Sequence, residues 1–118
     1  MTLKECYETI GGDYEDAVRR LMSEALLKRF VIKALEDKSF QNLLAALEKE
    51  NWEEAFRAVH TLKGVALNLS FTRLAVSASE LTECLRGQNG PAPEALIRQV
   101  KEDYERTMAA VGAFAEES

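Results

Sequence analysis

Apolar residues return at steps of three and four along almost the whole of this chain, and no stretch sustains alternation at every second residue. That spacing puts side chains on one side of a helix and is incompatible with half-buried strands. The clearest stripe is Trp52, Phe56, Val59, Leu62, Ala66 and Leu69. An all-α fold follows, and because the connections between stripes are short, successive long helices should pack antiparallel. With 118 residues, 47% of them hydrophobic, the chain suits one domain over residues 1–118 with a single core.

Helix signals divide the chain. Residues 2–10 read as a short opening helix stopped by Gly11-Gly12, and Asp13 caps a second one with Tyr14, Val18, Leu21 and Met22 on one face. Ser23 is a candidate break, so a continuous and an interrupted helix both fit the stripe of Leu27, Phe30, Val31, Ala34 and Leu35 that follows. Asp37-Lys38-Ser39 reads as a turn with Ser39 as the next cap, ahead of Phe40, Leu43, Leu44 and Leu47 facing inward. Asn51, with Glu54 three residues later, is a variant of the capping box and opens the Trp52–Leu69 helix. The chain turns around Ser70. A further helix carries Leu74, Ala78, Leu81 and Leu85 inward and ends at Gly87. Residues 87–93 form the clear loop, and Pro93 suits the first turn of a last helix with Leu96, Ile97, Val100, Tyr104, Met108 and Val111 on its inner face. Phe30, Phe71 and Trp52 are expected in the core.

Charge and composition remove several functions. The 20 acids and 15 bases leave a formal charge of -5 and no basic run, which argues against a nucleic-acid partner, since phosphate binding relies on clustered Lys and Arg. The opening Met1-Thr2-Leu3-Lys4-Glu5 does not read as a signal peptide, and no apolar run approaches the roughly 18 residues of a membrane span. A cytoplasmic protein is expected. Its two cysteines, Cys6 and Cys84, should then be reduced, largely buried thiols.

The chemistry concentrates in Ala58-Val59-His60-Thr61-Leu62-Lys63-Gly64, which holds the sole histidine. On a helix His60 is rotated about 100° from the core position Val59, and its neighbours one turn away are Phe56, Arg57, Lys63 and Gly64. The imidazole should stand at the surface between two cations, Arg57 and Lys63. Glycine in a helix costs about 1 kcal/mol relative to alanine, so Gly64 asks for a reason, and room for another protein beside His60 is one. A neutral imidazole is nucleophilic near pH 7, and nearby cations would stabilise a phosphoryl group placed on it. A metal site fits poorly: there is no second histidine, and carboxylate bundles use Glu-x-x-His where this chain has Arg57. No serine or cysteine is spaced to form a hydrolytic triad with His60.

His60-Thr61-Leu62-Lys63-Gly64, continued by Val65-Ala66-Leu67-Asn68-Leu69, resembles the signature of histidine-containing phosphotransfer (HPt) domains. The likeness extends upstream through Trp52 to Ala58 and downstream through Leu74 and Ala78 to Leu81. It implies an antiparallel four-helix bundle, here with additional short N-terminal helices. It also implies that His60 accepts a phosphoryl group at Nε2, that Lys63 stabilises it, and that Gly64 lets a receiver domain dock. Family members often carry a glutamine or glutamate on the following helix that bonds the other ring nitrogen. That position falls on Thr82, which makes Thr82, with Arg57, a candidate support for the ring; Glu83 and Ser79 are neighbouring substitutes. Leu67 is a candidate docking rim.

The expected function is therefore a phosphoryl carrier in a two-component phosphorelay, exchanging phosphate with receiver aspartates or a sensor kinase. No nucleotide-binding glycine loop occurs, so neither ATP binding nor kinase activity is expected. No cofactor is expected on this chain, and Mg²⁺ should come with the receiver. A monomer is expected, without nucleic acid or membrane. The alternative is a helical module that docks receivers or kinases without carrying phosphate.

Overall fold

In a computed structural model, residues 1–87 and 90–118 are described, and they form seven α-helices and one 3₁₀ turn. The helices are α1 (Leu3–Ile10), α2 (Tyr14–Leu21), α3 (Glu24–Lys33), α4 (Ser39–Glu48), α5 (Trp52–Asn68), α6 (Thr72–Leu85) and α7 (Glu94–Glu116), with the 3₁₀ turn at Ala34–Glu36. Helices α4 to α7 make the four-helix bundle, and α1 to α3 are the additional short helices. The α5–α6 and α4–α5 pairs hold the most extensive contacts, and Phe40 of α4 stacks on Tyr104 of α7 with ring centroids 3.9 Å apart, which closes the ring of helices. The core runs through Leu43, Val59, Leu62, Leu74, Leu81, Val100 and Val111, all nearly inaccessible. No helix among the described residues is long and apolar enough to cross a membrane.

The caps explain the boundaries. Asp13 accepts the Asp16 N–H and Asn51 accepts the Glu54 N–H, as their positions suggested. Only half of the box at Asn51 forms, because the Glu54 carboxylate is bonded to Arg57. The complete box is at Thr2 and Glu5. Ser23 does break the chain: Met22 adopts a left-handed conformation (φ 59°) and Ser23 caps α3 through the Leu26 N–H. Ser39, expected as a cap, is the first residue of α4. A carboxylate is a stronger acceptor than a hydroxyl, and Asp37 takes both the Ser39 N–H and its O–H.

The apolar stripes are narrower than their spacing suggested. Met22, Phe30, Leu35 and Leu44 are exposed. Met22 lies past the end of its helix, and the others each sit one residue beside an inward position (Val31, Ala34, Leu43). Phe30 instead lines a surface cleft of about 740 Å³ with Leu21, Val65 and Leu69. Trp52 is half-buried and Phe71 buried. Cys6 is buried, Cys84 half-buried, and both are free thiols. Pro93 caps α7 rather than entering it. The loop reading at 87–93 includes Gln88 and Asn89, which lie outside the described residues.

The α1–α2 corner clamps the turn between α5 and α6. Tyr7, fully buried, donates its hydroxyl to the Leu69 carbonyl at 2.6 Å, and the Asp13 N–H donates to the Ser70 carbonyl at 2.9 Å. Ser70, itself left-handed at φ 55°, donates to Asp16 at 2.7 Å. Asp16 also receives Arg20 and Arg19, and these bonds, Arg20 first, hold its carboxyl well below the ordinary 3.8. A depressed folded-state pKa adds stability that is present above the unfolded value and is lost as pH falls through the folded one. Denaturant titrations of wild type and Asp16→Asn should therefore converge as pH drops from about 5 towards 2. Parallel curves over that window would assign Asp16 no such role.

Candidate functional site

The surface of α5 that faces away from the core carries the site. Ala55, Ala58, Val59, Leu62 and Ala66 are buried against the bundle, so the helix turns His60 outward, where it is exposed. Glu53 and Glu54 occupy the first turn, a favourable position for negative charge at a helix N-terminus. The half-buried Phe56 lies one turn before His60, its ring centroid 5.8 Å from the imidazole with the planes tilted by 44°. The guanidinium of Arg86 sits over that Phe56 ring at 5.1 Å. Glu83 of α6 grips Arg86, with contacts of 3.2 Å to Nε and 2.9 Å to Nη2. Arg86 holds the Glu83 carboxyl below its usual range, with smaller contributions from Lys63 and His60.

Lys63 is half-buried, and the ion pairs on this face join Arg57 to Glu53 and Glu54 and Arg86 to Glu83, leaving Lys63 outside them. At Gly64 a side-chain Cβ would meet no atom within 4 Å. The approach to His60 from the C-terminal side of α5 is thus open, and nothing in the packing of the bundle requires a glycine there. Leu67 is 44% exposed further along the same surface. Among the described residues, no group of three or more His, Cys, Asp or Glu is placed to hold one metal ion.

Two expected members of the site have other partners. Arg57 is drawn back along α5 by Glu53 and Glu54, both at 2.6 Å; neighbours three and four residues apart on a helix meet readily, so its charge is engaged away from the imidazole. It borders a separate depression between α4 and α5. Thr82 is fully buried and donates its hydroxyl to the Ala78 carbonyl at 2.7 Å, with no bond to His60. On α6 the inward stripe is Ala78, Leu81, Thr82 and Leu85, which turns Thr82 into the core and brings Glu83 to the surface. Arg86 is an addition, and Phe56, expected one turn from His60, is where the two meet. The three-residue spacing of Glu83 and Arg86 announces their ion pair, but no local signal announces the reach across to Phe56.

Comparison with known proteins places the chain by its sequence as a whole. The sequence model of the Hpt domain matches residues 25–110, well over half of the chain and including α4, α5 and α6 in full. No curated protein and no solved structure gives a significant match. Hpt domains are phosphotransfer modules of two-component signalling that work with receiver domains and kinases and are not themselves kinases. With its helical bundle and most of its length matched, the chain belongs to the Hpt domain family.

Proposed function

We propose that this protein, as one domain over residues 1–118, is a phosphoryl carrier whose acceptor is His60, loaded from and discharged to aspartates of receiver domains. The observation that carries the reading is the exposed imidazole with Lys63 one turn away, in no ion pair among the described residues, and no described residue crowding Gly64. In the forward step the Nε2 lone pair attacks phosphorus, the bond from phosphorus to the aspartyl oxygen breaks, and the carboxylate leaves with the electron pair. The reverse step delivers the phosphoryl group to a second aspartate. Phosphoryl transfer depends mainly on positioning and charge compensation. The chain supplies the nucleophile and, through Lys63, one compensating cation; the receiver brings Mg²⁺ and its own catalytic groups.

Lys63 should stabilise the charged phosphoryl oxygens by a charge-assisted hydrogen bond. At a solvent-accessible position that contact is screened, so Lys63→Ala should slow transfer by about tenfold, equivalent to about 1.4 kcal/mol. Rapid-quench measurement of transfer from a phosphorylated receiver reads this directly. Unchanged rates would remove Lys63 from the mechanism.

A further inference from the structure

No hydrogen bond among the described residues reaches either nitrogen of His60. The polar side chains beside it in sequence or carried by α6 are spent elsewhere. The Thr61 hydroxyl donates to the Arg57 carbonyl at 3.0 Å, the Thr82 hydroxyl donates to the Ala78 carbonyl at 2.7 Å, and the Glu83 carboxylate receives Arg86. What the imidazole does meet is an aromatic ring. Long side chains on a helix lean back towards the residue four positions earlier, and Phe56 stands there with its centroid 5.8 Å away. That separation lies within the roughly 4.5–7 Å over which aromatic rings attract. Phe56 is itself fixed: it is half-buried against the core, and the Arg86 guanidinium covers its ring at 5.1 Å, inside the reach of about 6 Å for a cation on an aromatic face. Arg86, at the end of α6, is held there by Glu83 at 2.9 to 3.2 Å. Glu83, Arg86, Phe56 and His60 thus form one row of side chains running from α6 onto α5.

We propose that Phe56 is the positioning residue of the acceptor: its ring, capped by Arg86 and anchored through Glu83, orients the imidazole by packing where Thr82 offers no hydrogen bond. This rests on the carrier reading above. A histidine has several staggered χ1 wells and a broad χ2, and an exposed ring without a hydrogen bond samples them. Each rotamer points the attacking nitrogen in a different direction. Packing against an immobilised flat neighbour selects among them, and transfer gains because reacting atoms must meet at about 3–3.5 Å with orbitals aligned. Leucine would fill similar space on α5 but has no flat face to set a ring plane. The other task open to Arg86 is direct contact with phosphoryl oxygens. Its seat on Phe56 and its engagement by Glu83 favour holding the ring instead.

The test is transfer between the full chain and the receiver that labels it fastest, read beside NMR of the His60 side chain. In wild type, three-bond couplings and cross-relaxation to Phe56 should report a single χ1 rotamer; averaged couplings would overturn the proposal before any variant is made. Phe56→Leu should average them, lower the maximal transfer rate about tenfold and leave KM within about twofold, because orientation and not docking is lost. Phe56→Tyr keeps the ring and should keep the wild-type rate. Arg86→Gln should slow transfer about threefold, with no further effect once Phe56 is replaced by leucine, since residues acting through one another are not additive. An equal loss from Arg86→Gln in both backgrounds would instead assign Arg86 to the phosphoryl group and overturn its link to Phe56. Phosphoramidate, a small donor that meets the ring in any rotamer, should label wild type and Phe56→Leu alike. An unchanged maximal rate in Phe56→Leu, with wild type labelled by phosphoramidate, would overturn the positioning role and leave the carrier reading standing. Failure of phosphoramidate to label wild-type protein would overturn both.

Discussion

His60→Gln is expected to abolish phosphoryl labelling entirely, with the helical fold and receiver binding preserved. Glutamine is a good helix former, and His60 is exposed with its ring in contact chiefly with Phe56. Exposed substitutions of this kind usually change stability by no more than about 0.5 kcal/mol. What disappears is the ring nitrogen that forms the P–N bond. Circular dichroism and thermal melting should overlay with wild type, and titration with a receiver should give a similar Kd. Residual acid-labile label on the variant would place the acceptor elsewhere. A chain that merely docks partners would instead show no label in either protein.

The second large effect concerns Gly64, where access and stability should move in opposite directions. No atom lies within 4 Å of a Cβ built at this position, so any side chain there projects into solvent beside the imidazole. Reacting atoms must approach to about 3–3.5 Å, and small misplacements can cost about a hundredfold. Gly64→Leu should therefore slow transfer by about tenfold to a hundredfold while raising stability by up to about 1 kcal/mol, the helix penalty of glycine. Gly112 in α7 supplies the comparison, since a Cβ there also meets nothing within 4 Å. Gly112→Ala should give a similar gain in stability and leave transfer untouched. Denaturant melts with rapid-quench kinetics separate the two. A Gly64→Leu protein transferring at the wild-type rate would disprove the steric account.

Local chemistry is what the sequence conveys well here. The caps at Asp13 and Asn51 and the buried stripe of Val59, Leu62 and Ala66 depend on neighbours within one or two turns, and they point His60 outward without further information. Stripe width is a tertiary property. Whether Phe30 or Leu44 is covered depends on which helix lies alongside, and spacing alone is silent on that. The same limit applies at the site. Arg57 was expected beside His60, but two acids a turn behind it compete for the same guanidinium and hold it. A shift of one position on α6 decides that Thr82 is core and Glu83 is surface. Buried Asp103, which accepts from Gln99 at 3.1 Å, sits on the inner face of α7, where an apolar stripe gives no sign of a carboxylate. The clamp of Tyr7 on Leu69 joins residues 62 positions apart and has no local signature at all.

The most direct measurement is the location of phosphate after incubation with a phosphorylated receiver and Mg²⁺. The account predicts one acid-labile, alkali-stable phosphoryl group per chain, mapped to the Nε2 atom of His60 by phosphorus NMR and peptide mass spectrometry. An acid-stable phosphate on a serine or threonine, or no label from any receiver or from phosphoramidate, would contradict it.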